Sequence, residues 1–163
     1  MRNVKDILDR KGHEVWTVQA AQTVYEALEL LAEKDIGALL VCNGDEAVGM
    51  FSERDYARQV VLRGKSSKET PVAEVMSTPI ILAHPEQKIQ ECMALMTERR
   101  IRHLPVVDQG RVVGMISIGD VVKALLEEQQ FLIDQLEGYI ASGGWAEITL
   151  SQSSERVWVH RPR

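Results

Sequence analysis

The sequence repeats itself when it is shifted by 65 residues, without a gap. Residues 22–58 align with residues 87–123, and apolar, acidic and glycine positions coincide along the whole match. Each copy ends in the same short motif, GMFSERD at residues 49–55 and GMISIGD at residues 114–120. A match of this length at a fixed shift indicates a tandem duplication. The chain is therefore predicted to contain two equivalent structural units.

Hydrophobic spacing divides each unit into the same series of elements. In the first copy, TVYEALELLAEKD has helical spacing, IGALLVC and AVGMF are typical of strands around an Asn-Gly turn, and a helix follows from Ser52 to a stop at Gly64. The second copy repeats the series, with a helix near 86–99. An extended piece and a short helix precede each unit, so we predict an α/β fold of strand–helix–strand–strand–helix units.

The predicted boundaries follow from this division. The first unit is expected at 1–65 and the second at 66–127. A unit of about 60 residues buries too little surface to be secure alone, so the two are predicted to pack together with pseudo-twofold symmetry.

The remaining segments are a long helix and a tail. An amphipathic pattern begins at Val121 and extends through 128–142, which predicts a helix that either mediates contact with a second copy or partner, or folds back on its own core. Residues 143–163 alternate in polarity. An added hairpin, a disordered end and a remainder from expression all fit that tail.

Composition narrows the functional classes. A net charge of -5 disfavours nucleic acid as a partner. No apolar run approaches the ~20 residues of a membrane span, and the N-terminus lacks a signal-peptide core, so a cytoplasmic protein is expected. Cys42 and Cys92 lie in apolar patterns typical of buried thiols, without zinc spacing, so no metal site is predicted.

The duplicated unit, with Gly-x-apolar-Ser-x-x-Asp after its last strand, resembles the paired CBS-domain module over about residues 1–127. IRHLPVVDQGRVVGMISIGDVV matches the family pattern very closely, and IGALLVCNGDEAVGMFSERDYAR matches it well, as in small stand-alone bacterial members. The resemblance implies a regulatory module that binds AMP, ADP, ATP, NAD or S-adenosylmethionine between its units. No further cofactor is implied, apart from Mg²⁺ if the ligand is ATP.

The Ser-x-x-Asp motif has two interpretations. It could be a capping box, in which Ser caps the third helical residue and the acid reaches back, although Asp is one methylene shorter than the preferred Glu. Alternatively, the carboxylate accepts both hydroxyls of a ribose, the serine receives a phosphate oxygen, and the glycine lets the backbone approach the ligand. The family resemblance favours ligand binding.

The candidate ligand-binding residues fall into three groups. The motif residues are Ser52 and Asp55 at one site, and Ser117 and Asp120 at the other, with each aspartate expected at the ribose and each serine at a phosphate oxygen. The phosphate groups are Arg54, Arg102 and His103, whereas Gly119 stands in the second copy where Arg54 stands in the first, so the first site should prefer more anionic ligands. By resemblance, the adenine is lined by Val15, Thr17, Thr78 and Ile80, with the backbone of Pro105 near it.

Three functions remain open from the sequence. The first is a sensor in which an adenosine-type ligand changes the angle between the units, or the geometry of a homodimer, to control an unidentified partner protein. The second is a constitutive dimeric scaffold without a ligand. The third is an enzyme acting on the bound nucleotide, which is disfavoured because no nucleophile–base pair or phosphate loop is evident.

Overall fold

The computed structural model describes residues 2–142, so the predictions for the tail at 143–163 lie outside the described residues. The helices are α1 (Val4–Lys11), α2 (Val24–Lys34), α3 (Glu53–Asp55), α4 (Ile89–Arg99) and α5 (Ile118–Ala141). The strands are β1 (Thr17–Gln19), β2 (Ala38–Asn43), β3 (Glu46–Ser52), β4 (His103–Asp108) and β5 (Arg111–Ser117). The predicted mixture of helices and strands in two equivalent units is confirmed.

The duplication is reproduced in the hydrogen bonding of the two sheets. The antiparallel pair β2–β3 sets Ala38 opposite Ser52, and β4–β5 sets His103 opposite Ser117. Each pair has a register shift at the equivalent place, between Val41 and Cys42 and between Val106 and Val107.

The extended pieces that precede the units differ in length. In the first unit β1 runs parallel to β2 over three residues. In the second unit the equivalent piece forms a single parallel bridge between Ala83 and Val106, where Ala83 bonds to the backbone of Pro105 and Val107. The second lead-in piece is therefore strand-like at one residue only.

The lead-in helices pack across the units. α1 places Val4, Ile7 and Leu8 in the hydrophobic core that α4, β4, β5 and α5 also form. A short 3₁₀ turn, Val72–Glu74, contributes to the core of the first unit, together with β2 and β3. Each lead-in segment therefore packs on the core of the other unit. The predicted boundary between residues 65 and 66 divides the chain by sequence, and it does not separate the two hydrophobic cores.

The helix predicted from Ser52 to Gly64 is regular only at its start. After the single turn of α3, residues Tyr56–Val61 form a π-helix, and Gly64 ends the segment at a φ of +66°. π-helical turns frequently occur at functional sites because they change which side chains project from a helix.

Helix α5 packs on its own core over its first turns, as one of the two predicted roles requires, and contact with a second copy stays a prediction. Val121 and Ala124 are buried against the second unit. Beyond them the helix has a series of exposed apolar side chains, namely Leu126, Phe131, Leu132, Ile133, Leu136 and Tyr139. In residues 2–142 no helix has the length and apolar character that a membrane span requires.

Candidate functional site

Both Ser-x-x-Asp motifs form capping boxes. Ser52 Oγ accepts the amide hydrogen of Asp55 at 3.2 Å, and Asp55 Oδ2 accepts that of Ser52 at 2.9 Å. Ser117 and Asp120 repeat these bonds at 3.2 and 2.8 Å. Aspartate thus completes the capping box in both copies, although its side chain is one methylene shorter than the preferred Glu. Capping and ligand binding must therefore be weighed as simultaneous roles.

The glycines of the two motifs make room for the lead-in segments. A Cβ on Gly49 would lie 2.6 Å from Sδ of Met76, and one on Gly114 would lie 2.6 Å from Cδ2 of Leu8. Contacts this short do not occur between real side chains. The glycines are therefore explained by internal packing, and the proposed close approach of a ligand to this backbone is not needed to account for them.

A cleft of about 650 Å³ opens beside the first motif, between the two units. From the first unit it is lined by Ser52, Arg54 and Asp55, and from the second by Arg102 and His103. Ile80 and Ile81, from the segment that leads into the second unit, form part of its wall. The structure thus brings together six of the thirteen residues predicted to bind ligand, from distant parts of the chain.

The cleft also contains basic residues that the sequence analysis did not propose. Arg58 lies on its wall beside Arg54, and Arg100 lies on the opposite side with Arg102. Arg54 donates to the backbone carbonyl of Arg100 at 2.9 Å, which fixes one guanidinium across the boundary between the units. Arg58 belongs to the π-helix, whose altered winding is not visible in the hydrophobic pattern. Arg100 follows the last residue of α4 and has a φ of +53°. From the sequence alone, its position indicates only a turn at the end of the helix.

The carboxylate of Asp55 has neutral protein partners. Ser77 Oγ donates to Oδ1 at 2.7 Å, while Oδ2 accepts from the backbone and hydroxyl of Ser52. Among residues 2–142, no lysine or arginine forms an ion pair with this carboxylate. Its negative charge is thus not paired with any cation of the described chain, in a cleft where four arginines supply positive charge nearby.

The carboxylate of the second motif has a charged partner, on its capping oxygen. Lys11 Nζ donates to Oδ2 of Asp120 at 2.7 Å and to the backbone carbonyl of Met115 at 3.0 Å. Burial acts to raise the pKa of Asp120, but the hydrogen bonds from Lys11 and from the Ser117 backbone outweigh it and hold the pKa below its ordinary value.

His103 connects the environments of the two motifs. Its ring lines the first cleft, 3.7 Å from where a Cβ on Gly37 would lie, and its backbone pairs with Ser117. Burial lowers its pKa, as do the charges of Lys11 and Arg102, while Asp120 acts in the opposite direction. Burial and the neighbouring cations therefore favour the neutral form of the imidazole in this environment.

The other predicted ligand-binding residues do not line this cleft. Val15 is half-buried and Thr17 is exposed on β1, where it pairs with Leu40. Thr78 is exposed beside the cleft wall, and Pro105 is buried with its carbonyl already bonded to Ala83 at 2.9 Å. Their assignment to an adenine site remains a prediction.

Gly119 lies on a separate, open surface groove of about 770 Å³ along α5. Arg102, Val122 and Lys123 also line that groove. Ser117 and Asp120 are not among its lining residues, so it is not the second nucleotide cleft expected from the repeat.

Two duplicated α/β units, each built on an antiparallel strand pair and separated by an arginine-lined cleft, define a tandem-repeat module. Models of the CBS domain match residues 4–62 and 72–127, and the chain belongs to the CBS-domain family. The predicted family and fold class are thereby confirmed.

Relatives and solved structures agree with this assignment. The chain is 36% identical, over 150 residues, to the mitochondrial CBS domain-containing protein CBSX3 of Arabidopsis thaliana, with 86% of this chain and 72% of the relative covered. It is 50% identical to the structure of a putative signal-transduction protein with CBS domains from Burkholderia ambifaria MC40-6, with a TM-score of 0.76 and coverage of 78% and 96%.

A further neighbour was solved with ligands. The CBS domain pair of protein MJ0100, in complex with 5′-methylthioadenosine and S-adenosyl-L-methionine, is 25% identical, with a TM-score of 0.69 and coverage of 78% of this chain and 98% of that one.

Proposed function

We propose that the cleft beside Asp55 binds an adenosine nucleotide and that the chain is a sensor of that ligand. The observation that carries this proposal is the convergence of an unpaired carboxylate and four arginines, Arg54, Arg58, Arg100 and Arg102, in one inter-unit cleft. A carboxylate accepts ribose hydroxyls, and guanidinium groups bind phosphate oxygens by paired hydrogen bonds. The MJ0100 complex supports an adenosine-type ligand in this kind of module.

Each part of such a ligand has a matching part of the cleft. The side chains of Met50, Ile80 and Ile81 offer an apolar wall for a purine ring. The hydroxyl of Ser77, exposed at the cleft, is chemically like a ribose hydroxyl. A ribose hydroxyl can replace the Ser77 hydroxyl on Oδ1 of Asp55, and Ser77 then becomes solvated. The free energy of this replacement is small because both donors are neutral.

The positive charge of the cleft supports a phosphorylated ligand, namely AMP, ADP, ATP or NAD, over S-adenosylmethionine. Mg²⁺ would accompany ATP, because the metal ion bridges its phosphates.

The regulatory step follows from the position of the cleft between the units. A ligand held by Asp55 on one side and by Arg102 on the other favours one arrangement of the units, and it shifts the equilibrium only by its difference in affinity between arrangements. We propose a homodimer formed through the exposed apolar side chains of α5, and a separate protein that responds to its geometry. The identity of that protein and the cytoplasmic location stay predictions.

The ligand-free scaffold is the second candidate, and one observation favours it. Both aspartates already have protein hydrogen-bond partners in capping boxes, which explains the repeated motif without a ligand. An enzyme acting on the nucleotide is disfavoured, since the described groups of the cleft are suited to binding and orientation.

Calorimetric titration of the ligand-stripped protein with AMP, ADP, ATP, NAD and S-adenosylmethionine tests the proposal. Micromolar binding of one phosphorylated ligand is expected. Absence of binding by all five would favour the scaffold, and release of product from a bound nucleotide would favour the enzyme.

A further inference from the structure

The two motifs receive equivalent contacts from chemically different donors. At the first, Ser77 donates from its hydroxyl to Asp55 and from its backbone amide to the carbonyl of Met50, both at 2.7 Å. At the second, the single ammonium group of Lys11 donates to Asp120 and to the carbonyl of Met115. Met50 and Met115 are equivalent in the repeat, so each motif has one residue that contacts both the carboxylate and this strand carbonyl. Ser77 does so with neutral groups and bonds Oδ1 of Asp55, whereas Lys11 does so with one cation and bonds the capping oxygen, Oδ2, of Asp120.

Lys11 is presented by a helix that is firmly held. It is the last residue of α1, whose Leu8 is buried over Gly114 in the second core. Arg2 and Arg10, at the two ends of α1, both form ion pairs with Glu127 of α5. A lysine on a helix anchored at both ends loses little further freedom when it makes its contacts, so the contacts are more favourable than those of a mobile surface lysine.

A ribose would have to replace different hydrogen bonds at the two motifs. At Asp55 it exchanges one neutral hydroxyl for another. At Asp120, a ribose that gives its two hydroxyls to the two carboxylate oxygens has to displace the charge-assisted hydrogen bond from Oδ2 and to leave a partly buried ammonium without its carboxylate. The side chain of Asp120 is only 25% exposed and that of Lys11 38%, so water compensates the separated charges incompletely.

We propose that Lys11 closes the second motif to ribose-bearing ligands, so that each chain binds one adenosine nucleotide, beside Asp55, and a second only when Lys11 is displaced. This inference rests on the proposed function of the first cleft. On this inference, Lys11 determines the number of nucleotides bound per chain. It also determines which of the two motifs, which the repeat makes equivalent in sequence, binds the nucleotide.

The test is calorimetric stoichiometry with AMP, ADP, ATP, NAD and S-adenosylmethionine, each titrated into wild type, Lys11→Met, Asp55→Asn and the double variant. For the compound that binds, the expected result is one equivalent for wild type and two for Lys11→Met. Asp55→Asn should keep one equivalent with an affinity about 10- to 100-fold weaker, and the double variant should show one equivalent of unchanged affinity and one weakened by that factor. Lys11→Gln replaces Lys11→Met if the latter does not fold.

Two controls isolate the charge at the second motif. Lys11→Arg keeps a cation at the end of α1 and should retain one equivalent. Lys5→Met removes a lysine from the same helix, one that pairs with Asp9 at 2.7 Å far from the motif, and should also retain one equivalent.

Each outcome separates this inference from the function on which it rests. Two equivalents in wild type, or one in both wild type and Lys11→Met, would overturn the role of Lys11 while leaving the first cleft as a nucleotide site. Binding to Lys11→Met alone would support Lys11 closure and overturn the proposed function of the first cleft. Failure of every variant to bind all five compounds would overturn both.

Discussion

The hydroxyl of Ser77 lies 2.7 Å from Oδ1 of Asp55, across 22 residues of sequence, and joins the segment leading into the second unit to helix α3 of the first. This bond places a removable, neutral donor on the carboxylate that faces the arginine-rich cleft. The equivalent carboxylate of Asp120 is held by the ammonium group of Lys11. The repeat therefore produces two motifs with the same backbone geometry, whose carboxylates differ in how readily a ligand can replace their protein partners.

Asp55→Asn is expected to weaken nucleotide binding by about 10- to 100-fold, which corresponds to roughly 1.5–3 kcal/mol for a charge-assisted hydrogen bond. The amide keeps an acceptor oxygen for the Ser52 backbone, so the cap should survive. Isothermal calorimetry and urea unfolding of the same variant measure the two effects separately.

The matched control for that variant is Asp6→Asn, which changes the same position of a capping box in α1, formed with Asn3. As at Asp55, the amide keeps an acceptor for the cap, so each variant should change the free energy of unfolding by less than about 1 kcal/mol, and Asp6→Asn should leave nucleotide affinity unchanged. Equal loss of affinity in both variants would indicate that Asp55 acts only through helix capping.

Binding of a phosphorylated ligand is expected to become tighter as the pH falls from about 8 to about 6, because His103 lines the cleft. Its pKa in the free protein is lowered, first by burial and then by Lys11, and a bound phosphate would raise it. The bound state thus takes up a proton, and linkage requires affinity to rise as pH falls through that range.

His103→Asn should remove this proton uptake, so the variant is the control for wild type. Titration of the ligand's own phosphate affects binding to both proteins equally and cancels in the comparison. Calorimetry in buffers of different ionisation enthalpy reports the protons directly. The same pH dependence in wild type and variant would place His103 outside the phosphate environment.

Gly114→Ala should lower the free energy of unfolding by about 1–3 kcal/mol, the usual cost of overpacking a core. Its Cβ would lie 2.6 Å from the buried side chain of Leu8, which the anchored helix α1 cannot easily withdraw. Gly138→Ala is the control on α5, where nothing lies within 4 Å and helix propensity should add up to about 1 kcal/mol. Equal effects would mean that α1 does not press on Gly114.

Leu136→Glu is expected to convert a dimer into a monomer, because Leu136 is 61% exposed within the apolar series of α5. Light scattering after size-exclusion chromatography measures the change. Leu62→Glu introduces the same charge at a leucine that is 78% exposed on the first unit, and it should leave the dimer intact. A monomeric wild type would contradict the proposed dimer, and an unaffected Leu136→Glu would place its interface elsewhere.

The fold could be predicted because duplication supplies the helix and the antiparallel strand pair of each unit twice. Ala38 and His103, or Ser52 and Ser117, occupy equivalent register positions that the alignment alone implies. The crossed packing of α1 was not predictable in this way, since Leu8 contacts Gly114 at a distance of more than 100 residues. Amphipathic spacing shows that a helix has an apolar face, and it does not show which core receives it.

The motif residues of the candidate site could be predicted from the sequence, whereas several of the charged residues around them could not. Ser52, Asp55, Arg54, Arg102 and His103 were proposed from sequence and lie together in the cleft. The contribution of Lys11 was invisible, because an exposed lysine at a helix end has an ordinary explanation in the helix dipole. The π-helix that brings Arg58 to the cleft also depends on tertiary packing.

The measurement that tests the central claim most directly is calorimetric titration of the ligand-stripped protein with AMP, ADP, ATP, NAD and S-adenosylmethionine, with Asp55→Asn beside it. The account predicts micromolar binding of a phosphorylated adenosine ligand by wild type and a marked loss in the variant. Wild-type protein that binds none of the five, or binds one equally well without the Asp55 carboxylate, would contradict it.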